Sequence, residues 1–407
     1  MNKPELLAPA GNPEKMKMVI AYGADAVYLS GKRFGLRSGA DNFDENELEK
    51  AVKYAHNKGK RVYVTLNIIP HNDDLIGLEG YIDHLKNIGV DAVIVSDPGI
   101  LTMVRNRAPE LEIHLSTQAN CTNWRSCLFW RNQGVKRIIL ARELSLKEIG
   151  EIAAKIPSDL RLEAFVHGAM CISYSGRCLL SNYMAYRDSN RGRCAHPCRW
   201  KYYLMEQKRP GKYYPVFEDD RGTHILNSKD LCMIEHIPLM IKAGITSFKI
   251  EGRMKSGYYA STVVKAYRHV IDEYFKNPDE YEFDEYWLEE IKKVSHRHFT
   301  TGFYFGNPGP YDQGYESSKY VRNYDFIGLV LEGKDGNGLV TIEQRNKFSV
   351  GDIVEIVGKS GKHFTQRIET MWDHEGNSIK SAPHPQQIVK IPLNIPVEPL
   401  DILRKEK

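Results

Sequence analysis

Five of the seven cysteines in this chain fall between Cys171 and Cys232. Cys171 and Cys178 lie seven apart in EAFVHGAMCISYSGRCLLS (163–181), just after a run that reads as a buried strand. Cys194 and Cys198 follow in RGRCAHPCRW, and Cys232 in NSKDLCMIEHIP. Clustered reduced thiols read as metal ligands or redox groups. Four thiolates suit a structural zinc or an iron–sulfur cluster. Structural zinc commonly uses CxxC knuckles, which this chain lacks. A spacing of seven, then sixteen, then a distant fourth points instead to a cluster held by separate loops. The competing reading is ordinary buried thiols, and Cys121 and Cys127 are read that way.

A second signal overlaps the first. From Arg187 to Lys212 there are eight Lys or Arg and two acids, Asp188 and Glu206. Trp200, Tyr202, Tyr203, Tyr213 and Tyr214 are interleaved or adjacent. Basic side chains engage phosphates, and aromatic rings stack on unpaired bases. Arg193, Arg199 and Trp200 are therefore expected to contact a nucleic acid. The competing reading is a solvated basic loop.

These residues need a scaffold. Short apolar runs recur at 5–10, 26–30, 61–67, 92–96, 112–117, 137–141, 162–167 and 247–252, with helical segments between most of them. Near-continuous apolar strands alternating with helices imply a parallel sheet covered on both faces. Eight such units imply an α/β fold, a (β/α)8 TIM-like barrel. GADAVYL, GVDAVIV, GVKRIIL and GITSFKI each place Gly between a helix and the next strand. An open doubly wound sheet is the alternative, but no GxGxxG follows the first strand. Residues 168–246 exceed what one barrel connection needs, so they form a cysteine-rich insertion leaving the catalytic end of strand seven. Ser228 reads as the N-cap of a helix carrying Cys232 back to strand eight.

The barrel spans 1–298, with its insertion at 168–230. In STVVKAYRHVIDEYF, Val264, Tyr267, Ile271 and Tyr274 read as core contacts, and a further helix is expected near 284–296. A linker occupies 299–320. FIGLVLE, GLVTIEQ, DIVEIVG and PVEPLDILRK then alternate as short strands between turns, which makes 321–407 a small all-β barrel domain.

Barrel chemistry sits at the C-terminal strand ends. Asn67, Ser96, Asp97, Gln118, Asn120, Arg142, Glu143, Glu163, His167, Glu251 and Arg253 fall at or just past those ends. Arg142 and Arg253 suit a carboxylate ligand, with Asn67 and Gln118 beside them. Glu163, His167 and Glu251 are candidates for moving protons. Any of these could instead be a salt bridge in the barrel mouth.

The chain has 407 residues, 42% hydrophobic and 27% charged, with a net charge of +4. That composition suits a globular protein and permits, without requiring, a nucleic-acid partner. MNKPELLAPAGNPEK has no apolar signal core, and no stretch approaches a membrane span. The expectation is a cytoplasmic protein with no membrane partner and no disulfide framework.

EAFVHGAMCISYSGRCLLS resembles the signature of the collagenase-like peptidase family of unassigned catalytic type, a U-type peptidase family. The likeness extends through RGRCAHPCRWKYYL, NSKDLCMIEHIP and FKIEGRMKSGYYASTVVKAYR and covers nearly the whole chain. It implies a branch whose members support prephenate-dependent 5-hydroxyuridine formation at the tRNA wobble position. Other relatives hydroxylate ribosomal RNA or act in oxygen-independent ubiquinone synthesis. Four cysteines of these relatives hold a [4Fe–4S] cluster. Carried over by position, the ligands are Cys171, Cys178, Cys194 and Cys232, with Cys198 as alternate. The implied partners are the tRNA anticodon loop, prephenate, and a paralogous or homo-oligomeric partner. Peptidase activity is a competing expectation, although neither HExxH nor GxSxG occurs. A non-enzymatic RNA-binding or assembly subunit is the third.

Overall fold

The computed structural model describes residues 2–37, 40–170, 178–199, 218–219, 222–223, 229–306 and 320–407. Seven parallel strands follow in order: β1 (Glu5–Pro9), β2 (Ala26–Leu29), β3 (Arg61–Leu66), β4 (Ala92–Val95), β5 (Glu112–Leu115), β6 (Val135–Ile139) and β7 (Arg161–Ala169). The two-residue strands β8 (Glu218–Asp219) and β9 (Gly222–Thr223) pair with each other. β10 (Asp230–Cys232) and β11 (Ser247–Ile250) complete this half of the chain. β11 pairs in parallel with both β1 and β7, so the sheet closes into an eight-stranded barrel. That closure excludes the open doubly wound sheet. Among the described residues, no helix is long and apolar enough to cross a membrane.

Local sequence sets the surrounding helices. Asn12 caps α1 (Pro13–Ala21) by accepting from the Lys15 amide. Asp44 and Glu47 form a capping box on α2 (Glu45–Asn57), and α3 (Leu78–Asn87) follows β3. Asp97 caps α4 (Pro98–Arg107), with proline at its first position. Asn123 caps α5 (Trp124–Asn132), and Ser145 caps α6 (Leu146–Lys155). Asp97 is thus a helix cap, which corrects its reading as a site residue. After α7 (Leu180–Ala185) and α8 (Ile237–Lys242) comes the longest helix, α9 (Gly257–Lys276). Val264, Tyr267, Ile271 and Tyr274 are all buried on it, as their spacing predicts. The expected helix over 284–296 is shorter, α10 (Tyr286–Lys292).

β7 has nine residues and overruns its neighbours. β10 runs antiparallel along this overhang, with Cys232 opposite His167, and β12 (Phe299–Thr300) runs parallel to β10. The buried Asp230–Arg297 ion pair (2.5 Å) locks the arrangement. Cys232 therefore sits on a strand, not at a helix N-terminus. Ser228, its expected cap, lies outside the described residues.

Beyond residue 320 the chain is antiparallel. β13 (Tyr324–Lys334), β14 (Leu339–Gln344), β16 (Ile353–Val357), β17 (Phe364–Arg367), β18 (Trp372–Asp373), β20 (Ile388–Pro392) and β21 (Ile402–Glu406) order as β17-β16-β21-β13-β14-β20-β18. The pair β15 (Phe348–Ser349) and β19 (Ser381–Ala382) completes a half-barrel around its own core, which includes Ile327, Val340, Ile356 and Leu403.

Charge joins the two parts. Arg404, fully buried, donates at 2.7 Å to both carboxylate oxygens of Glu290 on α10, and through Nε to Glu355 on β16. Lys293 pairs with both carboxylates at 3.0 Å. The Tyr22 hydroxyl at the end of α1 donates to the Val357 carbonyl at 2.8 Å. Glu290, Glu355 and His363 come close enough to hold a metal ion, but Arg404 and Lys293 already supply their positive charge. Removing one partner of a buried ion cluster strands the others. Arg404→Met is expected to destabilise the protein by about 3–5 kcal/mol in thermal unfolding. Arg404→Lys should recover only part of the loss, because Lys cannot make the forked contact. An unchanged Tm in Arg404→Met would contradict the clamp.

Candidate active site at the barrel mouth

The lower barrel interior is charged. Glu163 on β7 has no solvent exposure. It accepts from Lys249 Nζ at 2.9 Å, Arg137 Nη1 at 3.0 Å and the Ser247 hydroxyl at 3.2 Å. Arg137 also reaches Glu5 at 2.5 Å, and the Tyr63 hydroxyl donates to Glu5 at 2.6 Å. Burial alone would raise the Glu163 pKa, but Lys249 and Arg137 hold it down to about 2. Glu163 is thus a permanent carboxylate that fixes two cations, and it lies below the mouth rather than in it.

Above this layer a cavity opens at the C-terminal strand ends. Of the predicted residues, Asn67, Gln118, Arg142, Glu251 and Arg253 all line it. The Asn67 amide accepts from the Leu36 amide (3.4 Å) and donates to the Ser116 hydroxyl (3.3 Å), joining two loops. The Ser96 hydroxyl supports it by donating to the Asn67 carbonyl. Arg142 donates to the Ala169 carbonyl at 2.8 Å and lies 5.4 Å from the Phe165 ring centre. Arg253 is buried beside Thr65, and burial lowers its pKa to about 10, so it stays cationic at neutral pH.

Tyr28, Arg37 and Lys249 also line the site. Lys249 Nζ lies 4.3 Å from the Tyr28 ring centre. The Tyr28 hydroxyl stands 3.0 Å from the Ile250 carbonyl and 3.2 Å from Glu251. Burial, then the Glu251 charge, raises the Tyr28 pKa, so this phenol remains a donor. Arg37 approaches Glu251 at 3.8 Å. Four cations thus face one carboxylate in the cavity, although Glu163 balances Lys249. Such a site suits an anionic ligand. The Glu251–Arg253 turn fits only because Gly11 and Gly168 flank it. A Cβ on Gly11 would stand 2.3 Å from the Arg253 carbonyl oxygen, and one on Gly168 would stand 2.6 Å from that of Glu251.

His167 is placed elsewhere. Between Lys249–Phe165 and Ile250–His167 the register slips by one residue of β7. Such a bulge re-aims the following side chain. Glu163 and Phe165 point inward, but His167 packs among the rings of Tyr259, Tyr267 and Phe299. Burial lowers its pKa to about 3. His167 is therefore neutral at physiological pH, which corrects its reading as a proton carrier at the mouth.

Segment 178–199 lies over the mouth on the β2 and β3 side. The Ile69 amide donates to the Asn190 carbonyl at 3.0 Å, and Arg191 pairs with Asp74 at 2.6 Å. The Gly192 backbone packs on Gly35 and Leu36. Cys178, Cys194 and Cys198 are partly exposed thiols in no disulfide, and the His196 amide donates to Cys194 Sγ at 3.4 Å. Cys232 is buried, its Sγ 3.9 Å from the Tyr267 hydroxyl, and burial pushes its pKa up to about 11. Cys121 and Cys127 pack against each other at 3.5 Å, as expected of structural thiols. Arg193 is exposed, and Arg199 falls in the turn Pro197–Arg199. Cys171 and Trp200 lie outside the described residues.

A family model described as Peptidase family U32 matches residues 11–314, and one for the Peptidase family U32 C-terminal domain matches 322–404. The chain is 46% identical over 405 residues to tRNA hydroxylation protein P1 of Bacillus subtilis (strain 168), covering 100% of this chain and 95% of that protein. It is 39% identical over 434 residues to tRNA hydroxylation protein P of Escherichia coli (strain K12), covering 97% and 94%. It is 34% identical over 330 residues to the 23S rRNA 5-hydroxycytidine synthase of Escherichia coli (strain K12), covering 78% and 47%.

Glu163 gives a pH test with a fixed sign. Its folded pKa of about 2 lies below the ordinary carboxylate value. Its contribution, about 3 kcal/mol by linkage, is present above about pH 4.5 and is lost as pH falls toward 2. Urea denaturation across that window should show the loss, and Glu163→Gln should be destabilised at neutral pH. A variant as stable as wild type at pH 7 would contradict the network.

Proposed function

The chain belongs to peptidase family U32, and we propose that it is an RNA hydroxylase acting on tRNA. The finer reading is prephenate-dependent conversion of the wobble uridine to 5-hydroxyuridine in the cytoplasm. The observation that carries it is the cationic cavity, combined with full-length likeness to proteins named for tRNA hydroxylation. Prephenate is a dicarboxylate, and carboxylates favour forked arginine contacts. In this reading Arg142 and Arg253 grip its carboxylates, Arg37 adds charge at the rim, and Lys249 stays fixed by Glu163. Asn67 and Gln118 supply neutral hydrogen bonds. Glu251, beside the Tyr28 phenol, is the carboxylate suited to exchange a proton with bound ligand.

The proposed cofactor is a [4Fe–4S] cluster. Soft, reduced thiols suit it in chemical kind. Cys178 and Cys194 lie on the segment over the mouth, and the amide directed at the Cys194 sulfur is the kind of donor that supports a thiolate. Cys232 fits less simply: its buried thiol must lose a proton that burial favours keeping. The assignment is Cys171, Cys178, Cys194 and Cys232, with Cys198 as alternate. When bound, the cluster would supply electron-transfer chemistry. Peptidase activity has less support, since neither HExxH nor GxSxG occurs and the paired His167 and Cys232 are buried against Tyr267, outside the cavity lining. A purely structural RNA-binding role leaves the cationic cavity without a purpose.

Nucleoside mass spectrometry of tRNA tests this reading in cells lacking the gene and complemented with variants. Wild type should restore 5-hydroxyuridine. Losing a charged hydrogen bond costs about 2 kcal/mol, roughly thirtyfold in affinity. Arg142→Ala and Arg253→Ala should therefore lower the modification while leaving iron and sulfide content unchanged. Cys178→Ser should lose both. An identical tRNA profile with and without the gene would overturn the assignment.

A further inference from the structure

We propose that Tyr186, flanked by Arg187 and Arg193, is a stacking platform for an unpaired base of a single-stranded RNA loop. The inference rests on the reading of the protein as an RNA-modifying enzyme, and it names the surface that takes the loop. Tyr186 is 93% exposed, more than any other large apolar side chain among the described residues. It ends α7 in the left-handed region, at φ 51° and ψ 32°. Glycine or asparagine normally fills such a helix-ending position, because a Cβ is disfavoured there. A tyrosine this exposed gains nothing from burial to offset that cost. Neither backbone preference nor packing selects it.

Its surroundings are fixed and cationic. The Cys178 carbonyl accepts from the Ser189 hydroxyl (2.8 Å) and the Asn190 amide (3.2 Å), and the Ala195 amide donates to the Ser181 hydroxyl (2.9 Å). Arg187 Nε donates to the Arg193 carbonyl at 3.1 Å, which holds Arg187 alongside Arg193. Both arginine side chains are exposed. Residues 178–199 carry four arginines against one acid, Asp188. An exposed ring beside free positive charge matches a base face beside its phosphates. A duplex hides its base faces, so the preferred partner is an unpaired loop. The same segment packs through Gly192 on Leu36, which lines the cavity.

The test uses the full-length protein and two fluorescently labelled RNAs, a stem–loop with a uridine-containing loop and a blunt duplex. Binding is read by fluorescence anisotropy, and stability by thermal unfolding. Tyr186→Gly relieves the backbone, so its Tm should equal or exceed that of wild type. Its affinity for the stem–loop should fall about tenfold, the scale of one lost base stack. Tyr186→Trp should keep the affinity, and duplex binding should not change. Wild-type affinity for the stem–loop in Tyr186→Gly would overturn the platform alone. Equal losses for loop and duplex would also overturn it, because the ring would then not act by stacking. A wild-type protein that binds neither RNA would overturn the RNA reading, and this inference with it.

Discussion

Glu163 carries a negative charge where its side chain has no solvent exposure. That arrangement is tolerable only because Lys249 and Arg137 neutralise it at hydrogen-bond distance. The barrel is built around this constraint. Glu163 comes from β7, Arg137 from β6, Lys249 and Ser247 from β11, and Glu5 from β1, so closing the sheet and satisfying the charges are one event. A lumen of aliphatic residues would be simpler to stabilise. A charged one gives the mouth above it a rigid floor, with Lys249 held between its carboxylate and the Tyr28 ring.

The rest of the site follows from that floor. The strands above it end in polar side chains whose own bonds are mostly to neighbouring loops, so the cavity is shaped before any ligand enters. Arg37, Arg142 and Arg253 bring positive charge to the cavity above that floor. Segment 178–199, which packs on the loops after β2 and β3, carries partly exposed thiols and an exposed ring. In the proposed function, these are the groups that serve a small anion, a cluster and an RNA loop. The C-terminal half-barrel is held to the helices around the barrel through Arg404 and Tyr22.

Much of this was legible in the sequence, and the failures are physical. Eight apolar runs with glycine before several of them fixed the barrel, and counting forward from each run found Asn67, Gln118, Arg142, Glu251 and Arg253. Depth along a strand was not legible. Glu163 lies low because β7 is long, and His167 turns away because one bulged residue reverses the alternation. Neither length of overhang nor bulge leaves a mark in local composition. Cys232 was assigned to a helix because the strand that carries it exists only by pairing with that overhang. Asp97 could have been recognised: an acid before a proline is a helix-start signal. Lys249 could also have been found, since Ser247, Lys249, Glu251 and Arg253 alternate inward with apolar Phe248 and Ile250.

The central claim is that the barrel mouth holds a small dicarboxylate through its arginines. Calorimetric titration of prephenate into the purified protein tests it most directly, comparing wild type with an Arg142→Ala, Arg253→Ala double variant of matched Tm. The account predicts saturable binding to wild type and none to the double variant. Equal binding by both proteins, or none by a folded wild type, would contradict it.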